Sequence, residues 1–570
     1  MAAAVRRVPP ERLVHLGRLL LLAVFGGWLW LSLTHISPYA ASWDEVDFVL
    51  ALDRFDLLAM QPHFPGYPYF VLGGMLMKTA GADPAAAYGL LNALLAASAA
   101  VPIRQLARRR LPALQAELAA LVILTAPFLW AQSLRPMSEA AAIAVLWWLL
   151  WSWVAAMEKR TWPRAAAVLF LFGVLMGIRL SFLPFGLLPL WLAAALAAEW
   201  RQSGRRAVPR LLIFAGAGAL FQALWVGGLA MSEGSAAAFV KLAAGFASGH
   251  FSEWGGGISA APMPPGERLL RFAGGNLLWT GWFARSAALM GAAAALVLAA
   301  VLRAGAAKPR RAAAGSAAGD AAGQAADELR RGVAAVAPAP AAPAKPVERR
   351  PLLSAAFDRL CRPPLAAALA VPAVGYAIWA FAAQNIDKPR HVTPLTGILW
   401  LLVLLYALLP VQQDAKPAER RLAAAAGMLA AAALFIQLAE GAELVRKQAD
   451  ERPAVYRLAD YAREASAAGE RIKLYTWEET RVLQYLDVPP VHERILTYAY
   501  FRAGLLANPN ARVLLTGKVL EGFEAQAGPL RGHVRRIAVF RSDPMLDPVY
   551  GTIELYEWID RQGGADPRQG

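Results

Sequence analysis

Apolar runs of about 17 to 20 residues, long enough to cross a bilayer as helices, recur along the chain between short polar loops. They cover 19–36, 85–103, 114–131, 140–157, 165–180, 182–199, 211–230, 286–302, 365–383, 394–411 and 422–438. A helix packed on a soluble core needs one apolar stripe, whereas these segments are apolar on every side, which predicts membrane spans. From Glu440 the periodicity changes to a soluble α/β pattern. It predicts an amphipathic helix to about Gly469, a strand at Ile472–Trp477, a helix over Glu478–Leu486, and strands near Arg512–Thr516, His533–Phe540 and Gly551–Trp558. The fold class expected is therefore mainly α: a polytopic membrane helix bundle of about eleven spans, with a small C-terminal α/β domain.

Charge placement sets the orientation. With the N-terminus in the cytoplasm, cytoplasmic segments hold 29 Lys and Arg and the outer side holds 10, counting Arg179 at the outer end of the fifth span, as the positive-inside rule requires. The net charge of +16 thus belongs to membrane topology, and nucleic acid is not an expected partner. The other 18 Lys and Arg lie in the tail, which an odd number of spans leaves outside the cell membrane. The first span begins with Arg6, Arg7 and Arg12 like a signal peptide. Neither Pro38 nor Tyr39 supplies the small residue cleavage needs, so an uncleaved anchor is expected.

The expected organisation is a transmembrane module over 1–302 with a long first outer loop at 37–84. A basic Ala/Pro-rich cytoplasmic linker follows at 303–363, further spans at 364–439, and a soluble extracytoplasmic domain at 440–570. The single cysteine, Cys361, excludes an internal disulfide and a cysteine-based metal site. Leu515-Thr-Gly-Lys518 lacks the upstream glycine of a phosphate-binding loop.

Chemistry concentrates just past the first span. Asp44, Glu45 and Asp47 stand beside Trp43 at the head of the aromatic first loop, where ionised groups are costly unless they act on something. An enzyme on the outer face cannot draw on cytoplasmic nucleotides, so it would take an activated group from a lipid carrier. A polyprenyl-phosphate sugar meets that need: its phosphate leaves without a general acid. Transfer then requires one carboxylate to take the acceptor proton and cations to hold the phosphate. Asp44 supplies the first, and Lys388-Pro-Arg-His391 supplies positive charge before the tenth span.

In these elements the chain resembles the GT-C superfamily of membrane glycosyltransferases, the group that includes protein O-mannosyltransferases and the aminoarabinose transferase of lipid A. The resemblance rests on Trp43-Asp44-Glu45 and on His63-x-Pro-Gly-Tyr-Pro68. It rests also on Lys388-Pro-Arg-His-x-x-Pro394 and on a soluble tail after the last span. It implies a sugar donor on polyprenyl phosphate, an acceptor that is a glycan, lipid or protein, and a multi-pass place in the cell membrane among its lipids. It implies that Asp44 is the catalytic or acceptor-binding aspartate with Glu45 as neighbour, and that Arg390 and His391 face the phosphate. It leaves open whether a divalent cation takes part. Asp44 and Asp47 share a face if the loop is helical, close enough for like charge to raise one pKa toward base strength; a metal held by the same pair is the alternative use.

Residues 67–80 are too short to span and are expected along the interface or re-entrant, so that His63 and Tyr67 line the sugar site; a capping or headgroup-contacting histidine is the other reading of His63. Glu139 either caps its helix or touches substrate, and Arg179 either snorkels or binds phosphate. The Gly245–Gly257 loop, with His250 and Glu253, has the composition of a lid or of a plain surface loop. The alternative functions are a polytopic lipid or glycan transporter or flippase, and a binding scaffold. Charge gathered at the outer surface rather than at the midplane counts against transport, and a single span would suffice for anchoring. One carboxylate with no second nucleophile across the ring favours inversion.

Overall fold

The computed structural model describes residues 10–204, 206–260, 263–305, 363–489, 491–548 and 550–559. Almost all of the expected linker, with Cys361, lies outside the described residues, as do Arg6 and Arg7. Among the described residues nine helices are long and apolar enough to cross a membrane, and two shorter apolar helices, Ala113–Leu124 and Trp162–Ile178, complete the eleven predicted segments. The chain is a mainly α, multi-pass membrane helix bundle carrying a five-stranded sheet near its C-terminus.

Two interruptions of the predicted helices shape the site. The third predicted span stops at Leu124 and resumes as the short helix Pro127–Gln132. Pro127 cannot continue the ladder and drives the preceding Ala126 to an extended ψ of 118°. The chain then turns through Arg135 and Met137, whose carbonyls both accept from Asn92 Nδ2 at 2.9 Å. The last span runs on as one helix from Pro417 to Asp450. It ends before Pro453, and a separate helix, Ala454–Ala467, comes next, so the single helix expected over 440–469 is in fact two.

The sheet has β1 (Ile472–Thr476), β2 (His492–Arg494), β3 (Arg512–Thr516), β4 (Val534–Arg541) and β5 (Thr552–Trp558), in the order β2-β1-β3-β5-β4. β1 is parallel to β2 and β3, and β5 is antiparallel to β3 and β4. β2 is too short for alternation to reveal and is not among the predicted strands. Period-two alternation splits the strands between two cores. Tyr475, Leu515 and Trp558 face one side with Phe501 and Phe523. Leu474, Leu514 and Leu555 face the other, together with Ala40, Val46 and Val49 of the first loop. Burial of this shared apolar core seats the C-terminal domain on the first loop.

Candidate active site

The first loop opens with the helix Trp43–Ala51, two turns held down by Val46, Phe48, Val49 and Ala51. Asp44 and Glu45 lie in its first turn, where the helix dipole favours negative charge. Phe48 packs edge-on against His63, Tyr67, Phe70 and Tyr88, which fixes the azimuth of the helix. The chain returns through Gly66, whose φ of +90° and close approach to Leu229 suit only glycine. It then enters the twelve-residue helix Pro68–Thr79, about 18 Å long and short of a bilayer's thickness.

Asp44, Glu45 and Asp47 each pair with a cation from a different part of the chain. Asp44 meets Arg390, 346 positions later, in a direct hydrogen bond, with Lys388 Nζ 3.8 Å away. Glu45 accepts from Arg135 Nε at 2.6 Å and from the Ala41 amide at 2.8 Å. Arg135 also reaches the Leu546 carbonyl and, at 3.2 Å, Asp547. Asp47, whose side chain is 0% exposed, accepts from Arg481 Nε at 2.9 Å. The same carboxylate lies 3.2 Å from His63 Nδ1, and His63 Nε2 lies 3.0 Å from the Tyr67 hydroxyl. Behind Arg390, Glu139 Oε1 is 2.9 Å from both Arg390 Nε and Arg179. Those two contacts are ion pairs without hydrogen-bond alignment. Arg179 donates to Ser138 Oγ at 2.8 Å. The charges thus alternate along a chain: Arg179, Glu139, Arg390, Asp44, Lys388.

Asp44, Glu45, Lys388 and Arg390 line one cavity of about 550 Å³, mouth included. Trp43, Arg135, Glu478, Asp547 and Tyr550 complete much of its wall. Asp47, His63 and Tyr67 are not part of this wall, and neither are Glu139, which contacts Arg390, and Arg179, which contacts Glu139. His391 does not line it; its carbonyl accepts from the Tyr376 hydroxyl at 2.9 Å. The Gly245–Trp254 stretch is mostly helical, and His250 Nε2 is 2.9 Å from the Ala383 carbonyl.

The electrostatics differ from the like-charge coupling expected of Asp44 and Asp47. Burial alone would raise the Asp44 pKa, but Lys388 and Arg390 outweigh it and hold the carboxyl well below the usual range. Asp47 is raised, by burial first, against the lowering action of His63 and Arg481; Asp44 contributes least. Burial likewise pushes the Tyr67 phenol up. As a metal site the pair fits poorly: the two carboxylates are engaged with different cations, and among the described residues no group of three His, Cys, Asp or Glu side chains could hold a metal ion.

Sequence reasoning missed the contribution of the C-terminal domain. Arg481 binds Asp47 and the carbonyls of Ala59 and Met60, Arg494 lies 5.1 Å over the Trp43 ring, and Glu478 enters the cavity wall. The available signal was position: Trp477-Glu-Glu479 follows the C-terminal end of a parallel strand, where α/β domains place their ligands.

No family model and no curated relative matches the chain. Solved structures resemble it over most of its length at low identity. ArnT from Cupriavidus metallidurans bound to undecaprenyl phosphate is 12% identical with a TM-score of 0.46, over 96% of this chain and 98% of that one. The Archaeoglobus fulgidus oligosaccharyltransferase in complex with Zn and sulfate is also 12% identical with a TM-score of 0.46, over 88% of this chain and 69% of that one.

Proposed function

We propose that the protein is a membrane glycosyltransferase that moves a sugar from a polyprenyl-phosphate donor to an acceptor hydroxyl, with its cavity on the extracytoplasmic face. The observation that carries this reading is the meeting of Asp44 with Arg390 and Lys388 inside one cavity at the edge of the membrane bundle. A guanidinium and an ammonium side by side are the equipment for a phosphate, one binding bidentately and the other as a point charge. In the free protein these cations are neutralised by Asp44. A donor phosphate competes for them and takes the place of Asp44, which stays on the phosphate side of the cavity. Glu139, itself paired with Arg179, holds Arg390 from behind. His63 and Tyr67 act indirectly, by fixing Asp47 and the floor of the first loop. The acceptor proton passes to a carboxylate of the cavity wall, and direct displacement of the phosphate by the acceptor oxygen inverts the anomeric carbon.

The test is release of polyprenyl phosphate from a polyprenyl-phosphate hexose by the purified protein. Arg390→Ala should weaken binding of polyprenyl phosphate while the protein stays folded. Unchanged affinity would remove the cationic loop from the donor site and, with it, the basis of the reading.

A further inference from the structure

The cavity holds a carboxylate that the first loop does not supply. Glu478 belongs to the C-terminal domain, at the junction between β1 and the helix Glu479–Tyr485, and it lines the same space as Asp44, Lys388 and Arg390. Its position is fixed from two sides. Three residues on, Arg481 is clamped to Asp47 and to two first-loop carbonyls. One residue on, Glu479 is buried with its carboxylate accepting from the Trp477 amide at 2.9 Å. The Glu478 carboxylate itself makes no ion pair or hydrogen bond among the described residues, although charged groups face it from several elements: Lys388 and Arg390 from the loop before the tenth span, Asp44 from the first loop, Arg494 from β2, and the adjacent Glu479 on its own helix.

Every other carboxylate lining this cavity is occupied. Asp44 is held by the two cations a phosphate would take, and Glu45 and Asp547 are spent on Arg135. In an inverting displacement the nucleophile enters opposite the leaving phosphate, so Asp44, in direct contact with the cations a phosphate would take, stands on the leaving-group side, whereas Glu478 faces the same cavity without contacting them. We infer that Glu478, delivered by the C-terminal domain, is the group that takes the proton from the acceptor, while Asp44 orders the donor side. This deepens the glycosyltransferase reading and rests on it. In the step, the acceptor O–H proton moves to the Glu478 carboxylate and the acceptor oxygen bonds to the anomeric carbon. The carbon–oxygen bond to phosphate breaks, and its electron pair leaves with polyprenyl phosphate; Glu478 then returns its proton to solvent. Burial raises the Glu478 pKa above the ordinary glutamate value, with Lys388, Arg390 and Arg494 opposing and Asp44 assisting, which suits a base working near neutrality.

The experiment uses the full chain in detergent with a polyprenyl-phosphate hexose as donor, in buffer containing glycerol, so that water or a primary hydroxyl can accept. Binding of polyprenyl phosphate alone is measured in parallel. Glu478→Gln should bind polyprenyl phosphate like the parent protein, lose sugar release by about a hundredfold or more, and lose the rising limb of the pH–rate profile. Glu478→Asp should restore part of the rate and the limb. A Glu478→Gln rate within about threefold of the parent, with the limb intact, overturns the assignment, as does a parent protein that binds polyprenyl phosphate yet releases no sugar. Failure of the parent to bind polyprenyl phosphate at all is a different result, and it overturns the donor reading instead.

Discussion

Removing the charge of Asp44 should tighten donor binding. In the free cavity Asp44 occupies the cations assigned to the phosphate, so a lipid phosphate must first displace it. Lys388 Nζ lies 3.8 Å from the carboxylate, and an effective dielectric near 20 gives such a pair about 4 kcal/mol before desolvation and ordering are charged against it. With the two side chains 24% and 23% exposed, the net falls to about 1 kcal/mol. The Arg390 hydrogen bond is tighter, and its guanidinium is 17% exposed, so it contributes at least as much. Some is regained as Asp44 finds water in the bound state, which leaves about 1.4 kcal/mol, or tenfold in affinity. Asp44→Asn keeps the side chain's size, removes its repulsion for phosphate and adds an amide donor, all in one direction. Titration of the purified variant with polyprenyl phosphate, followed by calorimetry, should therefore give a dissociation constant about tenfold below the parent's. An equal or weaker affinity would refute the competition and mean that Lys388 and Arg390 bind something other than the phosphate.

Three further outcomes are expected from the same geometry. Arg481→Ala leaves the fully buried Asp47 carboxylate with only His63, at a cost of about 3 kcal/mol; hydrogen exchange should show the helix Glu479–Tyr485 loosened from the first loop, and adding Asp47→Asn should recover much of the loss. Arg135→Ala strands Glu45, 1% exposed, for a similar cost of about 3 kcal/mol and a melting temperature lower by several degrees. Arg135→Lys should retain only part of that stability, because an ammonium cannot reach Glu45, Asp547 and the Leu546 carbonyl together. Glu478 works as a base only when ionised, so the rate rises with pH through its raised pKa; Arg494→Gln removes one of the cations that lower it, and the rising limb should move to higher pH. A limb that stays put or moves to lower pH would refute the coupling.

What the sequence disclosed and what it hid divide along physical lines. Membrane spans are legible because an apolar run of bilayer length has few other uses, and Lys388, Arg390 and the first-loop acids stand out because charge at a membrane edge is costly. Glu478 and Arg481 carry no such mark: they lie in a polar stretch that reads as a solvated helix face, with Arg481 434 positions from Asp47. The break at Pro127 was visible as a proline, but its consequence, a loop that aims Arg135 at Glu45, depends on Asn92 holding two carbonyls from another helix.

The largest difference concerns the acids themselves. Side by side in sequence, Asp44, Glu45 and Asp47 look like one cluster whose like charges would shift each other's pKa. A helix separates them by about 100° per residue, and the fold answers each with its own arginine: Arg390 from the loop before the tenth span, Arg135 from the broken third segment, Arg481 from the C-terminal domain. Proximity to an opposite charge at ion-pair distance outweighs a like charge a turn away, so the coupling between Asp44 and Asp47 is small. The same three pairs bind three distant pieces of chain to one two-turn helix. A donor phosphate that takes Arg390 from Asp44 therefore loosens one of three ties at a single element, while Glu45 and Asp47 keep that helix, and the C-terminal domain that carries Glu478, in register with the cavity.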